Sequence, residues 1–217
     1  MRLEDLKRIL KESPAAAYGN MLASPSYFYT EISAQFFREN WNIVGEITIN
    51  NDILTIGHMK NNDLDVYVAG YFDEKIEDFG SYKETKEIFF VLLQAYLKKD
   101  NYVEQHFPYK NVYSMAAIKV SSDAQTQGIA SGFYTWLLNQ GIILRSDQLQ
   151  YNGARRLWAK LSKYDHLVVD VLDIKNNKIV AKNEQLYHGF KEDDFDKRYW
   201  SRNDDKKDIV FILTKVV

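Results

Sequence analysis

The segment from Met115 to Ala130 limits the folds open to this chain more than any other. Met115, Ala116, Ala117 and Ile118 form an apolar, strand-like run that breaks at Val120 into the polar stretch Ser121 to Gln127. Gly128, Ile129 and Ala130 then open a helix-like run through Phe133, Trp136 and Leu137. A strand that breaks into a glycine-containing loop and then enters a helix gathers free backbone N–H groups at the positive end of a helix dipole, which is how proteins hold phosphates. The competing reading is an ordinary strand-to-helix connection in which Gly128 relieves crowding and Asp123 caps the helix.

The remaining pattern mixes strands and helices in one unbroken sequence. Leu3, Leu6, Ile9 and Leu10 recur at helical spacing until Ser13 and Pro14 close the pattern. Ala15 to Tyr27 is loop-like, and Phe28 to Trp41 is predicted as a second helix with Ile32, Phe36 and Phe37 on one side. From Asn42 the period drops to two. Ile43 to Ile49 and Asp52 to Met59 read as a hairpin around Asn50 and Asn51, which tolerate the positive φ of a tight turn. Asp65 to Phe72 is a third strand. Glu84 to Lys98 is predicted as a helix, because Ile88, Val91, Leu92, Ala95 and Tyr96 recur along one face.

Asn111 to Val120 is the strand entering the glycine loop, with a helix from about Gly128 to Asn139. Gly141 to Leu144 is a short strand. Asn152 to Lys163 is a helix with Ala154, Leu157, Trp158 and Leu161 on one side, and His166 to Leu172 and Asp208 to Val217 are the last clear strands. The long polar insertion between those two strands reads as a solvated loop or as a short hairpin at Lys178 to Ala181. This order predicts an α+β fold, an α/β sandwich with helices flanking a mixed, mostly antiparallel sheet and an N-terminal helical segment over residues 1–41. A single domain over 1–217 is the simpler organisation at this length.

Composition narrows the function classes. Hydrophobic residues make up 46% and charged residues 27%, the range of a folded globular chain rather than a disordered one. A net charge of −2 removes the electrostatic attraction that non-specific nucleic-acid binders need, so no nucleic-acid partner is expected. The absence of cysteine excludes disulfides, thiolate metal sites and a cysteine nucleophile. No apolar run approaches the roughly 18 residues of a membrane span, and Met1 to Arg8 is an amphipathic charged segment unlike a signal peptide. A cytoplasmic protein with no membrane partner is the expectation. His58, His106, His166 and His188 are dispersed without metal-pair spacing, and neither a Gly-x-Ser-x-Gly elbow nor a Walker-type loop occurs.

The pattern Gln125-x-x-Gly128-x-Ala130 resembles the acyl-CoA pyrophosphate loop of the GCN5-related N-acetyltransferase (GNAT) family, written Gln/Arg-x-x-Gly-x-Gly/Ala. Members of that family commonly carry Asn-x-x-Ala-x-x-Leu-Tyr on a later helix, and Ala154, Leu157 and Trp158 align with its last three positions. Tyr151 stands where Asn is usual, with Asn152 one place late. The resemblance covers about residues 111–172, the CoA-binding half. It implies a GNAT-like acyl-CoA N-acyltransferase fold that moves an acetyl or small acyl group from acetyl-CoA, or another acyl-CoA cosubstrate, to an amine on a small molecule or protein. A homodimer is among the assemblies it suggests.

By the same resemblance, Ile118, Val120, Gln125, Thr126, Gln127, Gly128, Ile129 and Ala130 are the cofactor-binding residues. The tyrosine that often protonates the departing thiolate in that family is replaced by Trp158, whose indole N–H is no acid at ordinary pH. Tyr151, Tyr134 or solvent is left to supply the proton. Glu46, His58, Asp65, Glu104 and His106 are the candidate general bases by location, each with an ordinary surface or hydrogen-bonded role as its alternative. Leu144, Arg145, Ser146 and Asp147, followed by Gly153, Leu157 and Trp158, are also similar to GNAT-like proteins of tailed bacteriophages. That likeness implies action in an infected bacterium's cytoplasm or within the virion. The replacement at Trp158 supports a second reading: a protein that has lost turnover and serves as a protein-binding or phage structural or accessory component.

Overall fold

Seventeen consecutive residues, Lys83 to Lys99, form the longest strand of a ten-stranded sheet. The computed structural model describes residues 31–121, 124, 127–147, 152–186, 197–200 and 206–216. Within them the strands are β1 (Glu31–Ser33), β2 (Asn42–Ile49), β3 (Asp52–Asn61), β4 (Leu64–Asp78), β5 (Lys83–Lys99), β6 (Val112–Val120), β7 (Ile143–Arg145), β8 (Leu167–Asp173), β9 (Lys178–Ala181) and β10 (Ile209–Lys215). The helices are α1 (Ala34–Asn40), α2 (Asn101–His106), α3 (Ile129–Asn139) and α4 (Asn152–Leu161). The sheet runs β2-β3-β4-β5-β6-β7-β10-β8-β9, with β1 added against β5. Among the described strands every pairing is antiparallel except β6 with β7.

This corrects the expected fold class. Of the described residues 51% lie in strands and 21% in four helices, so the molecule is a strand-dominated mixed sheet and not the helix-flanked α/β sandwich of the GNAT-like expectation. The largest error is β5, predicted as a helix. Its run from Ile88 to Leu93 is apolar without interruption, as in a central strand buried on both faces. A bulge then removes the alternation that would have revealed it. Gly70 pairs with Val91 but Ala69 pairs with Leu93, leaving Leu92 as the extra residue. Phe89 and Val91 therefore share one face, while Leu93, Ala95 and Leu97 turn to the other. Two buried faces joined through a bulge reproduce helical spacing at Val91, Leu92, Ala95 and Tyr96.

The N-terminal segment also departs from expectation. Residues 1–30 lie outside the described region, and with them the predicted first helix. Of Phe28 to Trp41 the first described residues pair with β5, Glu31 opposite Phe90 and Ser33 opposite Ile88, and only Ala34 to Asn40 are helical. Ser33 caps that helix by accepting the Phe36 N–H at 3.1 Å. Other expectations hold. Asn50 and Asn51 take φ of 51° and 75° in the β2–β3 hairpin, and β6, α3, β7, α4, β8 and β10 fall within a few residues of their predicted spans. Lys178 to Ala181 is a strand beside β8.

Helices α3 and α4 pack on one face with Leu54, Ala69, Leu93 and Leu97 of the sheet, around Phe133, Leu137, Trp158 and Phe211. The opposite face carries α1, where the Phe37 ring lies 3.9 Å from that of Phe89. Gly70 makes the first bulge possible, because a Cβ there would stand 1.9 Å from the Phe90 carbonyl oxygen, a backbone atom that cannot move aside. Gly70→Ala is expected to cost on the order of 3 kcal/mol. Gly153→Ala, on the exposed side of α4 with nothing within 4 Å of the added methyl, is expected to gain up to about 1 kcal/mol. Urea unfolding midpoints of the two variants should therefore move in opposite directions.

Candidate functional site

The sheet opens where β6 and β7 part. Val112, Tyr113 and Ser114 pair with Ile143, Leu144 and Arg145 in parallel, and there the pairing stops. The next residue keeps only the pairing that Leu144 and Arg145 already make with β10: the Ser146 N–H donates to the Phe211 carbonyl and the Phe211 N–H donates to Ser146 Oγ, both at 2.9 Å. The chain after Arg145 thus follows β10, while β6 continues along β5 to Val120. A wedge of about 710 Å³ lies between them, lined by Met115 to Val120, the start of α3 and one side of α4.

Two backbone hydrogen bonds fix which way β6 presents its peptide groups. The Ser121 N–H donates to Leu92 O at 2.9 Å, and the Asp100 N–H donates to Val112 O at 2.8 Å. Alternate residues of an antiparallel strand turn their backbone groups to the same neighbour. Counting back from Ser121, Lys119 and Ala117 bond toward β5, and Val120 and Ile118 face the wedge. A second bulge sits lower on the same strand. Tyr96 pairs with Ala117 and Leu97 with Met115, so Ala116 is the extra residue and lies exposed in the wedge.

The upper end of the wedge is the first turn of α3. Gly128 holds φ 83° and ψ 12° at the N-cap, a left-handed conformation that favours glycine. The first helical bond runs from the Gly132 N–H to Gly128 O at 2.9 Å, which leaves the N–H groups of Ile129, Ala130 and Ser131 without acceptors inside the helix. Gly128, Ala130 and Ser131 line the wedge, and Ser131 Oγ is turned back to donate to Gly128 O at 2.8 Å. Gly132 seats the helix close to the sheet, since a Cβ there would come within 2.5 Å of Ile49 Cδ1. The wedge therefore combines orphan amides and a helix dipole at one end with cleft-facing strand amides below.

Its inner wall is aromatic and ionisable. Trp158 is 2% exposed, edge-on to Tyr134 with ring centroids 6.2 Å apart and tilted against Phe211 at 5.9 Å. Tyr134 is buried beside it. Burial, and next the charge of Asp147, push the Tyr134 hydroxyl well above its ordinary value, so it stays protonated. Asp147 is exposed at the rim, yet desolvation of its carboxyl by the surrounding wall raises its pKa, against a smaller opposing effect of Arg145. Arg145 is itself committed to an ion pair with Asp100 at 2.9 Å, outside hydrogen-bonding alignment.

Of the residues singled out by sequence, the wedge brings together Ile118, Val120, Gly128 and Ala130. Ile129 is buried in the core, and Gln127 is exposed beside the neighbouring groove that holds Glu46. Gln125, Thr126 and Tyr151 lie outside the described residues. His58 Nε2 is 2.9 Å from Asp65 Oδ1 on β3 and β4, and its ring lies on Tyr67. The hydroxyl of Tyr67 is itself pushed up to about 12 by burial, then by Asp65 and Tyr113. Glu104 is tied to Lys99 at 2.6 Å and to the Val112 N–H at 2.8 Å, which hold its carboxyl below the usual range. His106 Nδ1 lies 2.9 Å from the Tyr102 carbonyl. None of these four lines the wedge. Asp147, which the sequence singles out only as part of the Leu144–Asp147 stretch, does line it. Its place beyond a strand that loses β6 while keeping β10 is a tertiary fact with no local signal.

No protein-family profile matches the chain, and neither does a curated protein or a solved structure. Among the described residues no helix is long and apolar enough to cross a membrane.

The raised Asp147 carboxyl has a measurable consequence. A folded pKa above the unfolded value near 3.9 means that stability is fully present below about pH 3.9 and is lost as pH rises through the folded pKa. Asn, which never ionises, escapes that loss. Asp147→Asn is expected to raise the urea midpoint slightly at neutral pH, with the gain shrinking to nothing near pH 3.9; a gain independent of pH would contradict the desolvation effect.

Proposed function

We propose that the wedge holds the phosphopantetheine arm of an acyl-CoA and that the chain is an N-acyltransferase, the activity of the GNAT family. The observation that carries this reading is the continuity of the wedge. It begins at the orphan amides of α3, suited to a pyrophosphate, and descends past Val120 and Ile118, whose unpaired peptide groups suit the amides of pantetheine. It ends among Ala116, Tyr134 and Trp158, where a thioester would lie.

The chemistry asks for position and two proton transfers. Asp147 takes a proton from the incoming ammonium, desolvation of its carboxyl making it more basic than an ordinary aspartate. The free amine attacks the thioester carbonyl, and cleft-facing N–H groups of β6 stabilise the oxyanion of the tetrahedral adduct. As the adduct collapses, the C–S bond breaks and the nitrogen gives up its second proton. Tyr134 carries a proton to the departing thiolate and is reprotonated by that nitrogen. The products are the amide and CoA thiol. Trp158 walls the site without donating.

Calorimetric titration with acetyl-CoA tests the reading. The wild-type protein should bind at micromolar ligand. Gly128→Arg, which strains the left-handed turn and fills the cradle, should abolish binding, and no wild-type binding at high micromolar ligand would refute the proposal. Tyr134→Phe should lower kcat by about 10²-fold or more while leaving acetyl-CoA affinity within about twofold.

The second reading, a binding or structural component without turnover, draws on one observation: Trp158, which the resemblance aligns with the family's acid, is a fully packed core residue. Acetyl-CoA binding with no acyl transfer to any of a panel of amines and lysine peptides, and no effect of Tyr134→Phe, would favour it.

A further inference from the structure

We propose that the arm formed by the distal ends of β4 and β5 pairs this chain with a second copy of itself, edge to edge at Lys83–Glu87. β3 stays with β4 only as far as Gly70, so from Asp73 opposite Ile88 to Asp78 opposite Lys83 the two strands continue as a ribbon. The other edge of β5 carries β1 at Ile88–Phe90 and β6 from Leu93 onward. Among the described residues no strand pairs with that edge at Lys83–Glu87, and an open edge is a template for another chain. None of these residues lines the wedge, so the contact stands apart from the acyl-CoA reading.

The backbone of that window is turned outward. The Phe79 N–H donates to Tyr82 O at 3.0 Å, which makes these two a bonded pair at the end of the ribbon. By alternation Glu84 and Lys86 bond to β4, while Lys83, Thr85 and Glu87 present their N–H and C=O groups to the open edge. The side chains then select the occupant. The window reads Lys83-Glu84-Thr85-Lys86-Glu87, and its charges change sign about the centre. Laid antiparallel on itself with a twofold axis at Thr85, it sets Lys83 opposite Glu87, Glu84 opposite Lys86 and Thr85 opposite Thr85. Every charged pair of this isologous contact joins opposite signs.

Other arrangements lose that match. Sliding by two residues, the shift that preserves the bonding pattern, sets Glu84 on Glu84 or Lys86 on Lys86, and a parallel in-register pairing sets like on like throughout. Within one copy Lys83 lies 3.4 Å from Asp78, Lys86 2.8 Å from Glu77 and 3.0 Å from Glu84, and Glu87 2.6 Å from Arg38. Each pair across the axis therefore joins an existing cluster of mixed charge. Ile76, 64% exposed, stands opposite Thr85 on β4, so one face of the joined ribbons carries the two threonines between two isoleucines. β1 closes the edge at Ile88, which confines the pairing to the complementary window. So short a contact buries less than the roughly 1,200 Å² at which stable complexes begin, and the dimer is a weak, concentration-dependent one.

Sedimentation velocity at low salt, from micromolar to near-millimolar protein, tests the assignment. The wild-type protein should pass reversibly from monomer to dimer, and added salt should weaken the dimer because its charges are exposed. Thr85→Pro removes the N–H on the axis and leaves the bonds to β4 in place, so it should raise the dimer Kd at least about tenfold, with circular dichroism showing an unchanged monomer. Glu84→Lys, which faces Lys86 of the second copy with a like charge, should also raise the Kd. The charge swap Glu84→Lys/Lys86→Glu should recover most of the loss. A wild type that stays monomeric over the whole range would overturn the proposal. So would a dimer whose Kd neither Thr85→Pro nor Glu84→Lys changes, or a charge swap no tighter than Glu84→Lys alone.

Discussion

Two hydrogen bonds between Ser146 and Phe211 determine the shape of this molecule at the wedge between β6 and α4. β7 and β10 could in principle lie as a continuous extension of the sheet beyond β6. Because Ser146 both donates its N–H to Phe211 O and accepts the Phe211 N–H on its hydroxyl, the chain leaving β7 is tied to β10 one residue after it stops pairing with β6. Ser146 is 1% exposed, so both bonds form out of water, where leaving the Phe211 amide unsatisfied would cost roughly 1–3 kcal/mol. That constraint leaves the upper half of β6 with a partner on one side only. The peptide groups of Ile118 and Val120 then face a cleft where a central strand would ordinarily have a neighbour.

The rest of the sheet is adjusted around that opening by its bulges. The one at Leu92 switches which residues of β5 face α3, so that Phe89 and Val91 pack with Phe37 on one side while Leu93, Ala95 and Leu97 support α3 on the other. The one at Ala116 places an unpaired residue in the wedge that Trp158 and Tyr134 also line. Gly70 is the local condition for the first, since Phe90 O occupies the space of its missing side chain. Below the bulge, Gln94 donates to the Tyr96 hydroxyl in a buried pair that satisfies the phenol on an otherwise apolar face. The long strands thus carry the specificity of the fold, and the helices cover surfaces the strands have already oriented.

How much of this could be read from sequence follows from how local each signal was. The β2–β3 hairpin was legible because Asn50 and Asn51 interrupt two alternating runs and take positive φ, a requirement written at the turn itself. The strand, glycine turn and helix from Val112 to Asn139 were legible for the same reason, and with them Gly128, Ala130, Ile118 and Val120 as a group. β5 was illegible because periodicity cannot separate a buried strand with a bulge from a buried helix, and the bulge depends on Gly70 in another strand. The strand-rich class was lost with it. The place of Asp147 beside the wedge was illegible because it follows from the tie of Ser146 to Phe211 of β10, a contact between residues 65 positions apart.

The position of the aromatic acid illustrates what geometry adds to a motif. Trp158 on α4 removes a phenol from the place where the resemblance puts one, and from sequence alone this counts against turnover. In the fold, α3 crosses the same wedge, and Tyr134 presents its ring edge to Trp158 from the facing wall. A phenol is therefore present in the wedge although absent from the motif. Its burial beside Asp147 keeps the proton on oxygen at neutral pH, the state a donor must start from, and makes its anion costly, so the proton it gives must be returned within the same step. A donor of this kind suits an adduct whose own nitrogen is shedding a proton as the thiolate leaves. The two ionisable groups of the wedge thus complement each other: partial desolvation makes Asp147 a stronger base than an ordinary aspartate, and full burial makes Tyr134 a phenol that stays protonated.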